Sequence, residues 1–94
     1  MKRIAVIGVG LIGGSFGLAM KSRGFAGTIA GVDNPAVLAE ARRRGAIDEA
    51  CTAVEAAVAG ADLVLLATPI LTTLDLLEPV RRAAAPGEIG RAHV

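Results

Sequence analysis

The sequence predicts an α/β fold, a doubly wound parallel sheet with helices over both faces. Two continuous apolar runs, Ile4-Ala5-Val6-Ile7 and Leu63-Val64-Leu65-Leu66-Ala67, have the unbroken character of strands covered on both sides. Strand-like and helix-like stretches alternate along the whole chain, which implies parallel pairing through right-handed crossovers. A G-x-G-x-x-G loop sits at the first strand-to-helix junction.

The elements follow in order. Lys2 to Val9 reads as the first strand. A helix is expected from Gly10 to about Arg23, with Ile12, Phe16, Ala19 and Met20 on one face and Gly24 as its stop. Gly13 and Gly17, four apart, would let this helix lie close to the sheet. Thr28 to Asp33 is the second strand. Asn34-Pro35 caps and opens a second helix, which Gly45 ends. A short strand is expected around Ala50-Cys51. Thr52 and Glu55 fit a capping box for a short helix that stops near Gly60. Asp62 to Thr68 is the next strand, ended by Pro69. Ile70 to about Ala85 is helical, with Leu71, Leu74, Leu76 and Leu77 supplying its apolar face. Pro79 should kink or divide it. The expected strand order is 3-2-1-4, the first part of a Rossmann-type fold, incomplete here.

The glycine loop carries the functional expectation. It follows a strand, opens a helix, and lies twenty residues before an acid, from Gly13 to Asp33. That is the context of a dinucleotide-binding fingerprint. Gly8 would permit a tight turn, Gly10 would let a pyrophosphate approach the backbone, and Gly13 would let the helix pack. Between and after these, Val9, Leu11 and Ile12 complete the loop, and the free N–H groups near Leu11 and Ile12 would meet phosphate charge. Asp33 would accept hydrogen bonds from the adenosine ribose. Its charge disfavours a 2′-phosphate, and no arginine directly follows it, so NAD is expected over NADP. Thr68 and Pro69 should border the same crevice.

Composition narrows the remaining classes. The chain has 94 residues, room for one core, and 53% of them are hydrophobic, which argues against disorder. A net charge of +1 gives no reason to expect nucleic acid or an anionic membrane as partner. Arg42, Arg43 and Arg44 form the one basic run and read as a solvated helix end. Cys51 is the single cysteine, so neither an internal disulfide nor a thiolate metal site is expected. Lys2 and Arg3 before the apolar stretch to Met20 mimic a signal peptide, but five glycines interrupt it and no small-x-small cleavage site follows. A cytoplasmic, non-membrane protein is the expectation.

Three stretches resemble the prephenate and arogenate dehydrogenases: Ile4 through Ser15, with its Leu11-Ile12-Gly13-Gly14-Ser15 run, Gly31 through Pro35, and Ala61 through Pro69. The resemblance reaches to about Glu88. It implies oxidative decarboxylation of prephenate or arogenate in tyrosine biosynthesis, with hydride passed to NAD or NADP and a homodimer in the full-length enzyme. Gly8, Gly10, Leu11, Ile12 and Asp33 match the family's cofactor loop and ribose acid, and Thr68 and Pro69 its crevice edge. The family's further strand with a serine, its substrate histidine and its second, helical domain have no counterpart here. His93 does not match the catalytic segment and reads as a frayed end. No catalytic residue is therefore assigned, and the chain alone is expected to be inactive. Residues 1–88 read as a partial dinucleotide-binding domain. Residues 89–94 read as a non-native tail, since their six codons can resemble a common sequencing adapter. Two alternatives stay open: another dehydrogenase of the 3-hydroxyacid or pyrroline-carboxylate type, and a non-catalytic nucleotide-sensing domain.

Overall fold

The computed structural model describes residues 1–68, 70–83 and 91–93. Its order is β1 (Arg3–Ile7), α1 (Leu11–Ser22), β2 (Thr28–Val32), α2 (Pro35–Arg43), β3 (Glu49–Cys51), α3 (Val54–Val58), β4 (Leu63–Leu66), α4 (Ile70–Ala83) and β5 (Arg91–His93). All described strand pairs are parallel, and the sheet runs β3-β2-β1-β4-β5. The expected 3-2-1-4 order is thus present and extended by one strand. β5 comes from the segment expected to be a foreign tail: Arg91, Ala92 and His93 stand beside Leu63, Val64 and Leu65. His93 therefore belongs to a strand rather than a frayed end.

The sheet is buried on both faces because successive side chains of its central strand point to opposite sides. Ile4 and Val6 join Val9, Ile29, Leu38, Ala41, Ala46 and Ile47 in one cluster, with Phe16 and Met20 of α1 packed against it. Ala5 and Ile7 join Ala30, Val58, Val64, Leu66 and Val80 in the other, beneath α3 and α4. Each large aliphatic side chain so buried contributes about 1.5–3 kcal/mol. The ion pairs are of a smaller order. Arg3 grips Glu49 with both terminal nitrogens and also donates to the Ala56 and Ala57 carbonyls, but the pair is partly exposed and worth at most about 1 kcal/mol. Burial, not charge, holds the layers together.

Carboxylates tie down the N-terminal ends of the strands. Asp62 accepts from the Lys2 and Arg3 N–H groups at 2.7 and 3.0 Å, and these bonds hold its carboxyl below the usual aspartate range. Asp48 accepts from Lys21 and from the Ile29 N–H. Partial burial raises the Asp48 pKa, but these partners outweigh it and the net shift is downward.

Several boundaries differ from expectation for local reasons. Asn34 caps α2 as expected, its side chain accepting from the Val37 N–H at 3.0 Å. Gly24, Gly45 and Gly60 follow their helices with positive φ. The short helix, in contrast, opens at Val54 with Ala53 as its cap residue and no side-chain cap bond, so the Thr52–Glu55 box does not form. α4 runs undivided through Pro79; a proline there removes one intrahelical bond, and the flanking turns carry the helix on. Leu77 is exposed, whereas Val80 enters the core and Ala83 packs against it. The side chains of Leu71, Leu74 and Leu76, and Pro69 as a strand end, lie outside the described residues.

The largest difference is the face that α1 turns to the sheet. Gly13 and Gly17 are its buried residues, while Ile12 is 71% exposed and Ala19 is exposed. The glycine stripe, not the bulky one, makes the closest approach. A Cβ on Gly17 would fall onto the Ala46 carbonyl, which is backbone and cannot swing aside. Alanine would gain up to about 1 kcal/mol in helix propensity, but overpacking costs roughly 1–3 kcal/mol or more. Gly17→Ala is therefore expected to lower the urea midpoint, whereas a midpoint at or above that of wild type would contradict this packing.

Candidate functional site

The C-terminal ends of β1, β2 and β4 meet the start of α1, and a crevice of about 350 Å³ opens there. Gly8, Gly10, Asp33 and Thr68 line it with Ile7, Val32, Val54 and Ala67. In an open parallel sheet this is the edge at which ligands bind.

Each loop glycine has a separate reason. Gly8 has φ +87°, and its N–H donates to the Val32 carbonyl at 2.8 Å. A Cβ there would also come within 2.6 Å of the Thr68 methyl and 2.7 Å of the Ala67 carbonyl. Gly13 lies over the turn, where a Cβ would be 2.5 Å from the Gly8 carbonyl oxygen and 2.9 Å from Val6. Gly10 differs: a Cβ would meet nothing within 4 Å. Neighbouring protein atoms do not require its small size, and the open space leaves its backbone accessible to a ligand.

The start of α1 is electrostatically open. No side chain caps it, and its first turn holds no acid. The N–H groups of Leu11, Ile12 and Gly13 have no intrahelical acceptor, as in any first turn, while Gly14 already donates to the Val9 and Gly10 carbonyls. Unpaired N–H groups and the positive end of the dipole suit a phosphate. The side chains of Leu11 and Ile12 are exposed around this opening.

Asp33 is joined to the loop directly. Its Oδ2 accepts from the Val9 N–H at 2.8 Å and the Gly10 N–H at 3.3 Å, and its Oδ1 accepts from the Asn34 N–H at 2.7 Å. An ionised carboxylate has about four acceptor sites, so a sugar hydroxyl can still donate to it. The carboxylate is thereby fixed before a ligand arrives. Val9 contributes only backbone to the site, since its side chain is 1% exposed within the core.

The structure thus brings Gly8, Gly10, Asp33 and Thr68 to one crevice, sets Leu11 and Ile12 at its helix, and places Val9 and Gly13 behind it. Pro69 lies outside the described residues. Sequence reasoning missed Val54, whose position depends on where α3 opens, and the bond from Asp33 to the loop, which no spacing reveals. Arg42 was read as a solvated helix end, yet it lines a second cavity that also reaches Asp33. Cys51 is buried, which pushes its thiol pKa up and leaves it less reactive. Among the described residues no group of acids, cysteines or histidines could hold a metal, and no helix is long and apolar enough to cross a membrane.

Fold and site together define a nucleotide-binding domain of the doubly wound α/β class. The family model for the nucleotide-binding domain of prephenate dehydrogenase matches residues 16–89, and the chain belongs to that family. It is 41% identical over 80 residues to a prephenate dehydrogenase of Lactococcus lactis, covering 85% of this chain and 22% of that protein. Among solved structures, the prephenate dehydrogenase of A. aeolicus in complex with hydroxyphenyl propionate and NAD+ superposes with a TM-score of 0.82 at 32% identity, over 90% of this chain and 30% of that one. The arogenate dehydrogenase of Synechocystis superposes at 0.78 and 30% identity, over 89% and 30%. The chain therefore spans about a fifth to a third of the length of these relatives.

The glycine geometry separates binding from folding. Gly13→Ala should lose stability in a thermal melt, because its Cβ meets backbone. Gly10→Ala should keep a cooperative melt but lose dinucleotide binding in a calorimetric titration. Equal loss of stability in both variants would remove the ligand argument for Gly10.

Proposed function

We propose that this chain is the NAD-binding part of a prephenate or arogenate dehydrogenase, an oxidoreductase of tyrosine biosynthesis that decarboxylates its substrate oxidatively. The observation that carries this reading is the crevice itself, lined by Gly8, Gly10 and Thr68 with the loop-bound carboxylate of Asp33, next to the uncapped start of α1. The NAD+ complex of the A. aeolicus relative supports it. When bound, NAD supplies the hydride acceptor.

The chain's own residues bind and orient. Leu11 and Ile12 N–H groups hold the pyrophosphate, Gly10 lets it reach them, and Gly8, Val9 and Gly13 keep the loop in shape. Asp33 accepts from the ribose hydroxyls, and its charge favours NAD over NADP. Thr68 borders the crevice on the β4 side. Residues 1–88 are the dinucleotide-binding unit on this reading, and residues 89–94 a non-native extension that contains β5 (Arg91–His93). Substrate contacts and a dimer interface belong to other parts of a full-length enzyme, which would act in the cytoplasm on a small molecule. Neither nucleic acid nor a membrane has a role.

Removing the Asp33 carboxylate takes away charged acceptors worth about 1.5–3 kcal/mol. Asp33→Ala should therefore weaken NAD by roughly tenfold to a hundredfold, measured by calorimetry on a variant whose melt is still cooperative. Unchanged NAD affinity would exclude Asp33 from the site.

A further inference from the structure

Arg3 lies at the start of β1, at the end of the sheet away from the crevice, yet its side chain reaches a helix that borders that crevice. Its Nε donates to the Ala57 carbonyl at 3.2 Å, and its Nη2 donates to the Ala56 carbonyl at 3.0 Å. Glu49 of β3 holds the same guanidinium at 2.9 and 3.3 Å, and also accepts from the Cys51 thiol at 3.5 Å. Arg3 thus joins β1, β3 and α3 through one planar group whose donors point in fixed directions.

α3 is short enough to need such a hold. It has five residues, far below the length at which a helix persists by its own hydrogen bonds. The last carbonyls of a helix have no partner inside it. Here Ala61 donates to the Val58 carbonyl, and Arg3 supplies the donors for Ala56 and Ala57. At the other end Ala53 is extended, and no side chain caps the helix. Val54, the first residue of α3, lines the crevice with Gly8, Gly10 and Asp33. Val54 and Val58 are only about 6 Å apart along the helix axis, so a tilt at the clamped end is felt at the open one.

We propose that Arg3 is a positioning residue of the cofactor crevice, which acts through α3 to set where Val54 stands against a bound dinucleotide. This rests on the cofactor reading above. Burial of Ala57 and Val58 fixes how deep α3 lies, and the two carbonyl bonds fix its direction. Without those bonds the last turn frays, and the Val54 wall no longer keeps one distance from the ligand. A residue at the far end of β1 then tunes affinity without touching the ligand.

The test compares NAD affinity by calorimetry with thermal melts, for the full chain and its variants. Arg3→Met keeps an aliphatic stem and removes the donors. It should weaken NAD by about threefold to tenfold, the scale of one lost hydrogen bond, and shift the Val54 amide signal in the free protein. Glu49→Gln keeps an oxygen for Arg3 and leaves the carbonyl bonds in place, so it should bind NAD as wild type does. Lys21→Met breaks a pair with Asp48 in α1, which packs on the opposite face of the sheet from α3. It should leave NAD affinity unchanged even where its melt falls. If Arg3→Met has no cooperative melt, Arg3→Lys, which lacks the planar fork, is read in the same way. Wild-type NAD affinity in the Arg3 variant, or a matched loss in Glu49→Gln or Lys21→Met, overturns the positioning role while NAD binding by wild type still stands. Wild type that does not bind NAD contradicts the cofactor reading itself.

Discussion

The close approach of α1 to the sheet is the constraint on which the site depends. Gly13 sits over the Gly8 carbonyl and the Val6 side chain at the end of β1, and Gly17 over the carbonyl of Ala46 in the connection between α2 and β3. This contact brings the uncapped start of the helix to the ends of the strands. A larger residue at either position would lift the helix and carry its free N–H groups away from the crevice. The exposure of Leu11 and Ile12 fits the same arrangement, because the first turn of α1 projects beyond the core.

Asp33 links this backbone geometry to chemistry. At the end of β2, it holds the Val9 and Gly10 N–H groups and so connects two neighbouring strand ends through one carboxylate. The N–H groups it occupies precede those left open at the helix start. A phosphate and this carboxylate therefore do not compete for the same donors. Asp48, Glu49 and Asp62, whose partners lower their pKa values, engage the opposite ends of strands or their cross-links, where they hold the sheet. These structural acids and Asp33 thus lie at opposite ends of the strands of one sheet.

Much of this was legible in the sequence. Apolar runs marked β1 and β4 because both of their faces are buried, and the glycines and Asn34-Pro35 marked helix ends through local backbone chemistry. Loop and acid could be paired because their spacing reflects one strand-helix-strand unit. What was not legible depended on distance or competition between surfaces. Ile12 fits a helical apolar face by periodicity, yet the glycine stripe packs more closely and leaves it outside. The Thr52–Glu55 box is a valid pattern, but the chain is still extended at Ala53 and the helix starts one residue later. Arg42 looks like its two neighbours in sequence, but among the described residues Glu40 pairs with Arg43 and Arg44 and not with it.

The central claim is that one ligand meets the N–H groups at the start of α1 while Asp33 keeps its hold on the loop. Amide chemical shifts recorded during an NAD titration test this most directly. The account predicts that the Leu11, Ile12 and Gly13 amides move most, with smaller changes at Val9 and Gly10. Shifts confined to residues remote from the crevice, such as Leu18 on α1 and Val37 on α2, which line a separate cavity, or an unchanged spectrum at saturating NAD, would contradict it.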